Sequence, residues 1–241
     1  MNSEALLNLG PVNVYTFGLI LGFSYLLAVF YFWRLGKGQG FSSESLLDMV
    51  FLSSLFGLLG GRVSFLIFQG AGFGWADLFR IGEGFFWAGA FILGLAAFAV
   101  FSWAKKWSFF VLADSAVLAL ALGQAFGYFG AEFTDYLPFA FYLSIGYLFL
   151  FALLRYLKGR LDPGLVFFAY LSFSGGLIGL AEWLRPDKAV WQGVNLNHLA
   201  GILLGGAGVL GVAFLLISKR RARRRSQTNQ ESLLRPRNPL R

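Results

Sequence analysis

The chain has 241 residues, of which 57% are hydrophobic and 13% charged, and its mean hydropathy is +0.66. That profile excludes a water-soluble globular protein and marks an integral membrane protein. The absence of cysteine excludes a disulfide, a thiolate nucleophile and an acylated lipobox cysteine of its own, and the net charge of +8 is explained by topology rather than by nucleic acid.

The N-terminal stretch MNSEALLNLGP carries an acidic residue and no Lys or Arg, so it does not resemble the basic start of a cleaved signal peptide. The first apolar span is therefore expected to stay as a membrane helix. A bilayer core of roughly 30 Å needs about 20 apolar residues per helix. Seven windows satisfy this, at about 12–33, 46–69, 85–103, 108–130, 139–157, 165–184 and 198–218. The fold class is thus all-α, a polytopic membrane protein. Residues 1–218 form the transmembrane domain and 219–241 a basic tail, expected to be disordered beyond its junction with helix seven.

Lys and Arg near helix ends are retained in the cytoplasm. With the N-terminus outside, sixteen of the 20 basic residues fall inside. They include Arg34, Lys37, Lys105, Lys106, Arg155, Lys158, Arg160 and the tail cluster from Lys219 onward, which would also attract anionic lipids. An N-out, C-in topology follows.

Four GxxxG pairs lie inside spans: Gly57 and Gly61, Gly123 and Gly127, Gly175 and Gly179, Gly201 and Gly205. Small residues let helix backbones approach closely, and these positions suggest a compact central bundle.

Ionisable groups inside a span are costly and so are functional candidates by default. In the N-out topology, helix two places Asp48 near the cytoplasm and Arg62 in the outer half. Helix four places Asp114 inside, then Gln124, Tyr128 and Glu132 progressively outward, at a spacing that keeps those three on roughly one helix face. Helix six brings Glu182 and Arg185 to the outer surface. The planar fork of Arg62 suits a phosphate, or else a structural pairing with Glu132 or Glu182. Tyr128 equally fits an interfacial aromatic, and Glu182 with Arg185 a surface pair. Asp48 and Asp114 fit charges favoured by a helix N-terminus. His198, the sole histidine, reads as a solvated helix-start residue or an outward-facing base; a single His without Cys does not make a zinc site. No Lys lies within a span, which argues against a retinal Schiff base.

In order along the chain, these motifs resemble those of the prolipoprotein diacylglyceryl transferase family, which moves diacylglyceryl from phosphatidylglycerol to the lipobox Cys of exported prolipoproteins. VNVYTFGLILGF (12–23) resembles the family's opening helix, with Phe17 in place of a Tyr. LLGGRVSFLIF (58–68) resembles the Gly-Ala-Arg segment and retains Arg62. GFFWAGAFILG (84–94) is similar to the His-Gly-Gly segment, with Ala88 at the His position. LALGQAFGYFGAEF (120–133) resembles the Leu-Gly-Gln-Ala signature. It retains Gln124, Gly127 and Gly130, with Tyr128 at an Arg position and Ala131 at an Asn position. LPFAFYL (137–143) keeps Pro138 and Tyr142. GLIGLAEWLRPD (176–187) retains Glu182, Arg185, Pro186 and Asp187, with Ile178 at an Arg position.

The resemblance implies a bacterial inner-membrane protein that needs no cofactor or metal. On the same resemblance it is expected to bind phosphatidylglycerol or another anionic phospholipid from the outer leaflet and to receive prolipoprotein lipobox segments. It further implies that Arg62 and Arg185 hold the phosphate, Gln124 and Tyr128 orient the head group, and Glu182 or Glu132 acts as orienter or base. A catalytically silent lipid-binding protein on the same fold is the alternative. A small-solute transporter is a third reading, disfavoured because the polar residues gather in one leaflet rather than at the midplane.

Overall fold

The computed structural model describes residues 7–9, 12–14, 16–69, 74–79, 84–131, 139–184, 190–191 and 194–234. Seven helices dominate: α1 Thr16–Gly38, α2 Ser43–Gln69, α3 Trp87–Ala104, α4 Phe109–Ala131, α5 Ala140–Leu157, α6 Leu165–Leu184 and α7 Leu196–Leu234. All seven contain a segment long and apolar enough to cross a membrane. A 3-10 turn, Trp75–Phe79, lies between α2 and α3.

Two short antiparallel ribbons add to the helices. β1 (Leu7–Leu9) pairs with β2 (Val12–Val14), and β3 (Val190–Trp191) with β4 (Val194–Asn195). The first ribbon explains why α1 starts at Thr16 rather than near residue 12. Val12 and Val14 are β-branched and fit a pleated pair better than a helix start. At the other end of the chain, α7 runs past the expected boundary at 218 to Leu234. The segment KRRARRRSQTNQESLL contains neither Gly nor Pro, so nothing local stops the helix before Pro236.

Helix ends follow local chemistry. α1 stops where Gly40 adopts φ 89°, and the Phe41 N–H reaches back to the Gly36 carbonyl at 3.2 Å, a C-terminal closure that needs the left-handed conformation open to glycine.

α4 and α6 are the inner helices, with 50% of their apolar windows buried, against 11% for α1, α3 and α7. Leu112, Val117, Leu118, Tyr147, Leu150, Leu154, Val166 and Tyr170 form one core between α4, α5 and α6. Outside it, Phe51, Phe149, Leu210 and Phe214 are exposed, an apolar surface that suits lipid rather than water. α6 packs chiefly on α7, α2 on α3, and α1 on α4, with α5 also on α4. The glycine pairs lie at these pairings rather than in one central bundle. A Cβ on Gly201 would come 2.9 Å from the Gly179 N, and one on Gly123 would come 3.0 Å from the Ala28 Cβ.

Candidate functional site

The α2–α3 pair is packed loosely against α1 and α4, and a cavity of about 420 Å³ lies between them. It exists because small side chains, Ala28, Ala90, Gly94, Ala113, Ala116 and Ala119, line the facing surfaces. Bulkier walls come from Phe32, Phe91, Phe98 and Phe167. On α3 it runs from Trp87 to Phe98, about 16 Å along the helix axis at a rise of about 1.5 Å per residue. The size falls in the range of small-molecule sites.

Few polar groups line this cavity. The Tyr25 hydroxyl and Ser54 Oγ are 3.0 Å apart, bridging α1 and α2. Ser53 lies in the same wall, and its buried hydroxyl has no hydrogen-bond partner among the described residues. Gln124 of α4 and Tyr170 of α6 form the remaining pair, the Tyr170 hydroxyl donating to Gln124 Oε1 at 2.7 Å. Among the described residues, the lining contains no charged side chain.

Behind Gln124 the polar groups continue as a network. Ser174, one turn along α6 from Tyr170, lies 2.8 Å from the Tyr147 hydroxyl of α5. The Tyr147 ring stacks on Tyr128, with centroids 5.3 Å apart and planes 11° from parallel. Glu182, buried on α6, is close enough to Tyr128 to interact with its hydroxyl electrostatically. Asn195 Nδ2 donates to Glu182 Oε2 at 3.4 Å, and Asn195 Oδ1 accepts from the His198 backbone N at 3.0 Å, capping the start of α7. The His198 ring is half-buried, with Nδ1 3.0 Å from the Gly179 carbonyl. The geometry thus brings Gln124, Tyr128 and Glu182 into one network and supplies Tyr147, Tyr170, Ser174 and Asn195.

A sequence profile of the family described as Prolipoprotein diacylglyceryl transferase matches residues 4–135, more than half of the chain. The chain belongs to this family. Among curated relatives it is 30% identical over 128 residues to the phosphatidylglycerol–prolipoprotein diacylglyceryl transferase of Oceanobacillus iheyensis, an alignment covering 52% of this chain and 45% of that protein. It is 29% identical over 127 residues to transferase 2 of Clostridium perfringens, covering 49% and 48%. The corresponding enzyme of Geobacillus kaustophilus is 28% identical over 132 residues, covering 52% and 47%. The chain spans about half the length of the curated relatives it matches. Within the family-matched segment lie Arg62, Ala88, Gln124, Tyr128, Ala131 and Glu132; Ile178, Glu182 and Arg185 lie beyond it.

Arg62 is 1% exposed. Its guanidinium donates to the Asp77 carbonyl at 2.7 Å and the Gly84 carbonyl at 2.9 Å, so it ties the α2–α3 connection to the end of α2. Its fork is suited to two acceptors at once, and here backbone oxygens use it. Arg62 is not part of the cavity lining. Glu132 and Arg185, both expected site residues, lie outside the described residues, as do Pro138, Pro186 and Asp187. Ala88 and Ile178 are half-buried apolar residues, and Tyr142 is exposed. No group of three or more His, Cys, Asp or Glu side chains suited to a metal gathers among the described residues.

A second polar cluster occupies the opposite end of the core. Asp114 is buried in α4 and accepts from the Gly164 N at 2.8 Å and the Phe167 N at 2.7 Å. It therefore caps the first turn of α6, a neighbouring helix, rather than acting on the N-terminus of its own. Lys158, at the C-cap of α5, donates to Ser115 Oγ at 2.7 Å, and Ser115 also receives the Gln39 amide at 3.0 Å. Desolvation lowers the Lys158 pKa to about 8, while the nearby Asp114 carboxylate opposes the shift and Arg155 adds to it. Asp48, by contrast, is exposed.

Proposed function

We propose that this chain is a multi-pass protein of a bacterial inner membrane that accepts a glycerophospholipid, phosphatidylglycerol or another anionic phospholipid, from the outer leaflet. It then transfers the diacylglyceryl group to the lipobox Cys of a prolipoprotein. The observation that carries this reading is Gln124. It is the retained polar residue of the family signature, and it lies in the wall of an apolar cavity of about 420 Å³, paired with Tyr170. In the reaction a sulfur–carbon bond forms at the glycerol and the carbon–oxygen bond to phosphate breaks. Glycerol phosphate leaves, and the thiol proton passes to a base. Such chemistry needs stabilisation of the leaving phosphate and a proton acceptor, roles for Arg62 or Arg185 and for Glu182 or Glu132.

The test is a lipobox peptide incubated with the purified protein in phosphatidylglycerol vesicles, with the thioether product followed by mass. Product formation supports transfer. Absence of product while phosphatidylglycerol still co-purifies favours a second reading, a lipid-binding protein without transferase activity. Two observations favour that alternative: the Arg62 fork is engaged with backbone carbonyls, and the Tyr128 ring is packed on Tyr147 where the family places an arginine. Topology has its own test, since the chain lacks Cys. A single cysteine introduced at Ser226 should be shielded from an impermeant maleimide in intact cells; ready labelling would reverse the N-out, C-in assignment.

A further inference from the structure

We propose that Tyr170 is a specificity-determining positioning residue: it fixes the Gln124 amide with its N–H donors toward the cavity, so that the site favours ester-linked over ether-linked glycerolipids. This rests on the reading of the cavity as a lipid site.

The argument starts from the amide itself. A glutamine side chain has one acceptor and two donors at opposite ends of a planar group, and only its hydrogen bonds decide which end faces where. Here Oε1 accepts from the Tyr170 hydroxyl at 2.7 Å. Tyr170 is 2% exposed and cannot swing away, and Ser174 lies near enough to bias its hydroxyl. With the oxygen so engaged, the end of Gln124 left to meet a ligand is the Nε2 donor pair. Apart from the Tyr25–Ser54 pair the rest of the lining is apolar, with no charged side chain among the described residues, and the buried Ser53 hydroxyl on α2 provides a second donor. Donors in such surroundings gain most from an uncharged oxygen acceptor, because a buried donor left unmatched carries its full desolvation cost.

In a glycerolipid the acceptor that fits is the ester carbonyl, which stands where the chains begin. A phosphate would bring charge into a wall with no cation among the described residues. An ether-linked lipid has the same chains and head group without the carbonyl. One hydrogen bond separates the two ligands, which corresponds to a preference of roughly 2- to 10-fold for the ester.

The experiment measures retention of diester and diether phosphatidylglycerol of matched chain length by wild type, Tyr170→Phe and Gln124→Leu in nanodiscs, with unfolding midpoints to confirm that each variant is folded. Wild type should prefer the diester, and both variants should bind the two lipids equally. Equal binding by wild type, or an ester preference that survives Tyr170→Phe, overturns the inference while leaving lipid binding intact. A Tyr170→Phe variant that loses affinity for both lipids in the same proportion, and so keeps the preference, shows Tyr170 to be a packing residue and also overturns it. Retention of neither lipid by wild type refutes the lipid-site reading itself and this inference with it.

Discussion

Asp114 offers the sharpest test of how the bundle is held. Its two carboxylate oxygens receive the Gly164 and Phe167 backbone N–H groups at 2.8 and 2.7 Å, in a buried position between α4 and the first turn of α6. Asp114→Ala removes both acceptors and leaves two donors in the core. Hydrogen bonds to a charged partner contribute about 1.5–3 kcal/mol each, but non-additivity and partial hydration of a helix start bring the expected loss to about 3 kcal/mol. For a chain of this size that corresponds to a fall of roughly 6–12 °C in unfolding midpoint. Asp114→Asn keeps one acceptor and no charge, so it should lose about half as much. The loss should also depend on pH. Asp114 attracts Lys158 only while the lysine is protonated, and that pKa is about 8, so the Asp114→Ala penalty should shrink between pH 7 and pH 9.5. Thermal unfolding in detergent, followed by tryptophan fluorescence at both pH values, measures this. An Asp114→Ala midpoint within about 2 °C of wild type, less than the scale set by one kcal/mol, would refute the capping argument.

Lys158 itself predicts a slope in wild type. Its folded pKa of about 8 lies below the ordinary value of 10.5, so between those values the unfolded chain binds more protons and stability should rise with pH. Below about pH 8 both states are protonated and the desolvation penalty is present in full; Lys158→Met should flatten the rise, and an unchanged slope would remove Lys158 as its cause. At the α6–α7 contact, a Cβ on Gly175 would come 2.6 Å from the Gly201 carbonyl, whereas one on Gly179 meets nothing within 4 Å. Gly175→Ala should therefore destabilise by about 1–3 kcal/mol through overcrowding, and Gly179→Ala should stay within about 0.5 kcal/mol of wild type. Arg62→Lys should not restore what Arg62→Ala loses, because one ammonium does not reproduce the fork to Asp77 and Gly84; hydrogen exchange in residues 75–79 should quicken in both variants.

Much of this architecture is written in hydropathy. The seven apolar windows became seven helices, with shifts at their ends where a local preference prevailed: the valines before α1 pair as a ribbon, and the Gly- and Pro-free basic stretch prolongs α7. Which helix carries each charge was also legible, but which helix that charge serves was not. Asp114 lies early in α4, where a helix-dipole reading is natural, yet its carboxylate turns to α6 because Gly164 brings that backbone within reach. Such a choice depends on helix pairing, which one chain's periodicity does not specify.

The candidate site divides along the same line. Gln124 and Tyr128 stand one turn apart on α4, and that spacing placed them on one face. α6 carries a matching signal, Tyr170 and Ser174 four residues apart with Glu182 two turns further on, but tyrosine and serine cost little in a membrane helix and do not stand out as a charge does. Arg62 shows the converse. Its charge made it conspicuous, with a phosphate or a carboxylate, Glu132 or Glu182, as the partner to expect; the guanidinium also donates to two backbone carbonyls in the α2–α3 connection, which no charge pattern announces. A charged residue in a span therefore reports that something must satisfy it, while its partner is decided by the nearest oxygen. The quieter Tyr170, joined to Gln124 in the cavity wall, is the better guide to how the chain would read a ligand.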